Sequence, residues 1–597
     1  MCGIFASTDA RRWDGRVDDV LSTLHRRGPD ARGHEVVDGL LLAQTRLSII
    51  GLGTSGRQPA TSRNGAVTLV FNGEIYNYRE LAGRLGLADV QSDTQLLADL
   101  LAGHREQLAE LRGMYAFVAW DRARGELLAA RDAYGIKPLY LLRHASGGLS
   151  FASQISPLLE DADARVVDRT GLGTYLAFGH TGPGLTAFDA VQKVEPGCLH
   201  VWRRTSTGLH RAAHRLVPPR ATTQDLEHAL RDSVQAHLVA DVEVGTFLSG
   251  GVDSTLLTCL ANQQHPGIRS FTVSFPEQPA RDESPLAQHN AALMGVDHQV
   301  VPASLADLAA AARAFLLEHG EPFGDAAMLP LTHLSLAVGR ELKVVLCGEG
   351  ADELFGGYAR YRISARVRRT GLVPVPGRQR AADAWGLRRG GRPWARALEA
   401  GLAGGGLRGH AALLDGDLPL LGSLDPGARR DVQALVSSRW LTSAGHELGR
   451  ARRYDADVWM PNVFLEKTDR ATMAGSLEAR VPFLDREVAA AALREDPGAD
   501  TSKPALRNLL ARLLPGVRLP DRKKGLAIDV RALVDTHFAG QVERQLVDPC
   551  SALSRWVGGA DDGRVRQRVD RSPSFAFRLA MLDEWQELFG HHVDWQA

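Results

Sequence analysis

The hydrophobic pattern of this 597-residue chain changes period once, near residue 223, and that change divides what the chain can fold into. Before it, apolar residues come in short runs at 67–71, 115–120, 126–130, 139–142 and 149–152, separated by Gly, Asn and Asp. Such runs between turn formers predict antiparallel strands in a β-rich, layered α+β domain. After it, Leu226, Leu230, Val234 and Leu238 recur every four residues, one face of an amphipathic helix. Short apolar strands at 244–248, 270–275 and 343–346 follow, with Ala- and Leu-rich helical stretches between them. Strands alternating with helices predict a parallel sheet covered by helices on both faces. The division read from this pattern is a first domain at 1–205, a basic, proline-bearing linker at 206–222, and an α/β domain at 223–597. Within the last, 363–455 is rich in Arg, Gly and Ala without strand patterns and reads as a helical, loop-heavy excursion.

Composition narrows the function classes. Lys+Arg and Asp+Glu are equal at 70 each, which argues against a nucleic-acid or membrane-surface partner. No apolar run approaches the ~20 residues that span a bilayer. The N-terminus shows no basic-then-apolar signal pattern, and the five cysteines are scattered without metal-type spacing, so a reducing cytoplasm is the expected home.

Three residue sets carry chemistry. The first begins at Cys2, whose small side chain permits removal of Met1. Thiol and α-amine would then share one residue, a nucleophile beside its own proton acceptor. Asn72 and Gly73 offer a side-chain amide and a backbone N–H for a tetrahedral oxyanion. Arg46 could take an α-carboxylate, and Glu74 and Asp93 an α-ammonium. Singly these have plain structural readings: Asn72-Gly73 as a turn, Arg46 as a surface residue, Asp93 as a helix N-cap. Together with Cys2 and Arg27-Gly28-Pro29-Asp30 they are hard to explain as scaffold.

The second set, Ser249-Gly250-Gly251-Val252-Asp253-Ser254, follows a buried strand and opens a helix, the setting of a phosphate cradle. It has no GKS or GKT ending, so it is not a Walker A loop. Asp253 has the wrong charge for a phosphate unless it holds Mg²⁺. The third set runs Cys347-Gly348-Glu349-Gly350-Ala351-Asp352-Glu353, again at a strand end where α/β sheets bind ligands.

These residues, with the segment KTDRATMAGSLEARVPFLD at 467–485, resemble the glutamine-dependent asparagine synthetases of the bacterial B type. The resemblance covers nearly the whole chain. It implies an N-terminal-nucleophile glutaminase, with layered antiparallel sheets, joined to an ATP-pyrophosphatase synthetase with a parallel sheet and helical additions. It further implies that Cys2 attacks the glutamine side-chain amide, that Asn72 and Gly73 hold the oxyanion, and that Arg46, Leu47, Ser48, Ile49, Ile50, Glu74 and Asp93 grip the amino-acid end. ATP would meet Leu248, Ser249, Gly250, Gly251, Asp253, Ser254, Val273, Cys347 and Gly348. Asp253 and Asp352 would be Mg²⁺ ligands, Glu349 would serve the acyl-adenylate step, and Lys523 would neutralise pyrophosphate. Ammonia would pass through an internal channel, and the family implies a homodimer. Gln44, Cys347 and Leu526 depart from the family pattern, where histidine, serine and phenylalanine are usual. Aspartate is the expected acceptor. Another carboxylate, an amide closed within one molecule, and an inactive relative are the alternatives.

Overall fold

The computed structural model describes residues 2–87, 89–205, 208–218, 225–361, 363, 378–388, 393–403, 410–411, 413–414, 416–442, 447–494, 502–520, 525–557 and 563–595. Two antiparallel sheets of six strands each hold the first part of the chain. One runs, in spatial order, Val191–Lys193, Tyr140–Arg143, Leu149–Ala152, Cys2–Ser7, Leu40–Arg46 and Ala31–Val37. The other runs Gly208–Arg215, Cys198–Thr205, Glu126–Arg131, Gly113–Asp121, Val67–Ile75 and Ala60–Thr61. Alternation along each strand builds the layers. Ile4, Leu42, Val70, Val118 and Leu141 point between the sheets, while Phe5, Leu41 and Ala43 leave the opposite face of the first sheet and join a different core. On the far side of the second sheet, Phe71 and Phe117 pack with Leu97 and Leu101 of helix Asp93–Gly103.

The five-stranded sheet that follows is parallel, in the order Asp297–Pro302, Arg269–Ser274, Val244–Phe247, Val344–Leu346 and Glu478–Arg480. Helices cover both faces. Val344 and Leu346 belong to a core with Leu230, Leu256 and Leu510, whereas Val345 belongs to one with Phe315, Leu316 and Leu334. Strand order reverses between Val244–Phe247 and Val344–Leu346, so the two glycine-rich turns leave the sheet side by side, where open α/β sheets place their ligand crevice.

Two features differ from the sequence reading. Residues 208–215 form an edge strand paired with Cys198–Thr205, so the stretch read as linker starts inside the second sheet. Its charged residues suit an edge strand as well as a linker. The strands Asp297–Pro302 and Glu478–Arg480 had no apolar run to announce them, the second being charged at two of its three positions. The excursion contributes helices Arg378–Arg388, Pro393–Ala403, Leu418–Leu424, Pro426–Thr442 and Glu447–Tyr454. Of these, Val432 and Ala428 share a core with Leu172 and Tyr175 of helix Arg169–Phe178. Among the described residues no helix is long and apolar enough to cross a membrane.

Candidate active sites

Cys2 opens a strand at the middle of its sheet, opposite Arg46, with only 8% of its surface exposed. Its backbone N–H donates to Asn72 Oδ1 at 3.0 Å. That bond orients the Asn72 amide, because the oxygen is committed and Nδ2 is left buried without a hydrogen bond. An unmade buried N–H is costly, and an oxyanion forming beside Cys2 would relieve it. Gly73 has φ +151°, and a Cβ there would lie 2.1 Å from Met114 O, so no other residue fits. Burial pushes the Cys2 thiol up, against the chain-terminal charge, the Leu47 N–H, Arg46 and the Gln44 side chain.

Glu74 and Asp93 are both buried. Ser92, not Asp93, caps the helix by accepting from the Gln95 N–H. Asp93 Oδ2 instead accepts from the Ile75 N–H at 3.1 Å, and Oδ1 from the Thr94 N–H at 2.7 Å. Burial still pushes the Asp93 carboxyl up to about 6. Glu74 is raised well above the carboxylate range by burial, Asp93 and Glu478, with Arg480 opposing, and its Oε2 makes no hydrogen bond. Two buried acids short of cations are a local deficit that an arriving ammonium would fill. Arg46 does not present an open fork. Its guanidinium donates to Ile50 O (3.1 Å), Gly51 O (2.6 Å) and Gly53 O (3.1 Å), and so braces the loop 47–53 from inside. Leu47 and Ile49 are buried there, Ser48 and Ile50 partly so.

At the parallel sheet, Gly250 takes φ +77° and Gly251 precedes helix Val252–Gln264. Ser249 and Ser254 join hydroxyls at 3.0 Å across the turn. A Cβ on Gly348 would meet Asp253 Cβ at 3.1 Å, so the two glycine turns touch. Leu248 and Val273 are both buried, at the ends of the adjacent parallel strands Val244–Phe247 and Arg269–Ser274. Cys347 donates its N–H to Arg480 O at 2.9 Å, and burial with Glu349 nearby raises its thiol far above the usual range. Glu349 Oε1 accepts from Thr468 Oγ1 at 3.2 Å. Lys523 lies outside the described residues.

Sequence reasoning missed Lys503. Its ammonium reaches Asp253 Oδ1 and Oδ2 at 2.7 and 2.6 Å and Asp352 Oδ1 at 2.8 Å. Gly357 makes room for this, since a Cβ there would fall 1.8 Å from Asp352 Oδ1 and 2.3 Å from Lys503 Cε. Lys503 holds φ +57°, a strained value for a non-glycine residue. Both carboxylates are engaged by the Lys503 ammonium, and their oxygens are hard donors of the kind magnesium takes. The only sequence signal for Lys503 is Pro504, which opens a helix after it; its two acids are 151 and 250 residues away.

A family model described as asparagine synthase matches residues 225–589, more than half of the chain. The chain belongs to the asparagine synthase family. A glutamine amidotransferase domain model matches residues 1–212. The chain is 34% identical to a Mycobacterium bovis protein provisionally named as a glutamine-hydrolyzing asparagine synthetase, over 89% of this chain and 88% of that one. It is 30% identical to the Bacillus subtilis glutamine-hydrolyzing asparagine synthetase 1, over 86% and 84%, and 28% identical to the Penicillium rubens amidase chyE, over 81% and 78%. It is thus a glutamine-dependent ligase of a family whose members use ATP.

In this asparagine synthase family member, buried ion pairs join the two halves. Arg27 donates to both oxygens of Asp469 at 2.8 and 3.1 Å, with its Nε 3.5 Å from Cys2 O. Arg470 donates to Ser153 O and Tyr140 Oη, each at 3.0 Å. Lys193 lies 3.2 Å from both Glu321 and Glu466. Arg480 holds Glu478 at 2.7 Å and lies 3.7 Å from Glu74. The segment 467–485 supplies most of these partners. Asp469, Arg470, Glu478 and Arg480 lie in the junction, and Thr468 stands beside Glu349.

Proposed function

We propose that glutamine is hydrolysed at Cys2 and that the released ammonia amidates a carboxylate activated by ATP at the parallel sheet, with aspartate as the acceptor. One helix carries this reading. On Leu465–Ala474, Thr468 donates to Glu349 while its neighbour Asp469 holds Arg27 beside the Cys2 carbonyl. One helix thus touches both centres, which supports transfer of a nitrogen from one to the other.

With Met1 removed, the Cys2 amine takes the thiol proton as Sγ attacks the glutamine amide carbon. Asn72 Nδ2 and the Gly73 N–H receive the oxyanion. The Cys2 ammonium returns that proton to the amide nitrogen, ammonia leaves as the carbonyl re-forms, and water then releases glutamate from the thioester. At the second site the acceptor carboxylate attacks the α-phosphorus, pyrophosphate leaves, and ammonia then displaces AMP from the acyl carbonyl. Glu349 faces the acyl-adenylate step, and Asp253 and Asp352 would hold a magnesium ion, which when bound neutralises phosphate charge.

A panel of carboxylates with glutamine and Mg-ATP tests this. AMP and pyrophosphate should appear in equal amounts with aspartate present. ADP as the stoichiometric product would remove the adenylation step, and pyrophosphate release with another acid but not with aspartate would replace the acceptor. The second reading keeps the same chemistry with another carboxylate as acceptor; the similarity to a protein named as an amidase shows that not every relative over most of the chain is named an asparagine synthetase.

Asp93 also sets a pH dependence. Its carboxyl, pushed up to about 6 by burial, must be ionised to hold an α-ammonium. The glutamine KM should therefore rise as pH falls through 6, and Asp93→Asn should raise KM at neutral pH and flatten that limb. A KM unchanged between neutral pH and about one unit below that pKa would remove Asp93 from the ammonium site.

A further inference from the structure

The loop 47–53 is held from outside its own domain as well as by Arg46. Asp241 stands just ahead of strand Val244–Phe247. Its Oδ2 accepts from the Gly51 N–H at 2.7 Å, and its own N–H donates to Ile49 O at 2.9 Å. The Leu47 and Ile49 side chains are buried among Leu230, Val234 and Val344 of the synthetase half. A second tether runs through Asp30 Oδ2, which accepts from the Ser48 N–H and from Lys343 Nζ, both at 2.7 Å. Lys343 directly precedes strand Val344–Leu346, the parallel neighbour of Val244–Phe247. Asp241 and Lys343 thus stand at the N-terminal edge of two adjacent strands, while the turns 248–251 and 347–350 leave the C-terminal edge. The same two strands carry the 47–53 loop at one end and the nucleotide turns at the other.

We propose that Asp241 is a positioning residue for glutamine, fixing the loop in front of Cys2 from the synthetase side. Gly51 is the point of purchase: Arg46 takes its carbonyl and Asp241 its N–H. The loop lies close to the nucleophile, because Arg46, which braces it, is the cross-strand partner of Cys2. The inference rests on the reading of residues 46–50 as part of the glutamine site.

Asp241 is exposed, so its truncation opens no hole in a core. In steady-state glutaminase assays Asp241→Ala should raise the glutamine KM about tenfold, the size of one charge-assisted hydrogen bond, with kcat within about twofold. Synthesis from added ammonium should stay within about twofold, which a general structural defect would not allow. Asp241→Asn keeps an oxygen acceptor for Gly51 and should return KM to within about threefold of the wild type. A KM unchanged in Asp241→Ala, an asparagine variant no better than alanine, or ammonium-driven synthesis falling in step would each overturn the proposal. Arg46→Ala separates the anchor from the loop. If it raises KM while Asp241→Ala does not, the anchor alone is wrong; if neither does, the loop is not the glutamine site.

Discussion

Cys2→Ala should lower glutamine hydrolysis by at least about a thousandfold while amidation from added ammonium salt stays within about twofold of the wild type. The backbone N–H at position 2, which orients Asn72, survives the substitution, so the loss is that of the thiol alone. The synthetase groups Asp253, Asp352, Lys503 and Glu349 stand on helices and turns around the parallel sheet, whereas Cys2 opens a strand of an antiparallel one. The check is a paired assay, glutamate release and pyrophosphate release, on protein with an unchanged melting temperature. Loss of ammonium-driven synthesis in such a variant would mean that the two chemistries are not separable.

Lys503→Met should act on the other half, lowering synthesis from glutamine or ammonium by about two to four orders of magnitude and leaving glutamine hydrolysis within about twofold. The lysine neutralises two acids at once, with all three contacts at 2.6–2.8 Å. Removing one partner of a buried ion pair costs about 3–5 kcal/mol, and that span corresponds to the predicted range if it is felt in the transition state. Methionine keeps the length and the packing beside Gly357 but not the charge. Pyrophosphate release within about tenfold of the wild type would show that Lys503 holds the two acids apart without taking part in nucleotide use.

How much of this was legible depended on the range of the interaction. The strands read at 149–152 and 67–71 and the helix from Leu226 were readable because their signal, a short apolar run between turn formers or a repeat every four residues, lies in neighbouring residues. Edge strands such as Asp297–Pro302 were not, because a strand paired on one side needs no continuous apolar run. Asp93 shows the same limit within the site. Ser92 and Asp93 are both good capping residues, and the choice between them was made by Ile75, whose N–H takes the Asp93 carboxylate into the pocket. Arg46 looked like a free cation for an α-carboxylate, and only the folded loop shows its guanidinium committed to three carbonyls.

The sequence by itself determined the two kinds of chemistry and their order. Cys2 with Asn72-Gly73, and the SGGVDS turn between strand and helix, are local patterns whose function is written in adjacent residues. Only the tertiary structure decided how the two are joined: which charges of 467–485 enter the junction, which lysine meets Asp253 and Asp352, and what anchors the loop 47–53. Arg27 and Asp469 are 442 residues apart, and Lys503 and Asp253 are 250 apart. No periodicity spans such separations, because a buried charge is matched by whatever the packed sheets bring within a few ångströms of it, wherever that residue lies along the chain.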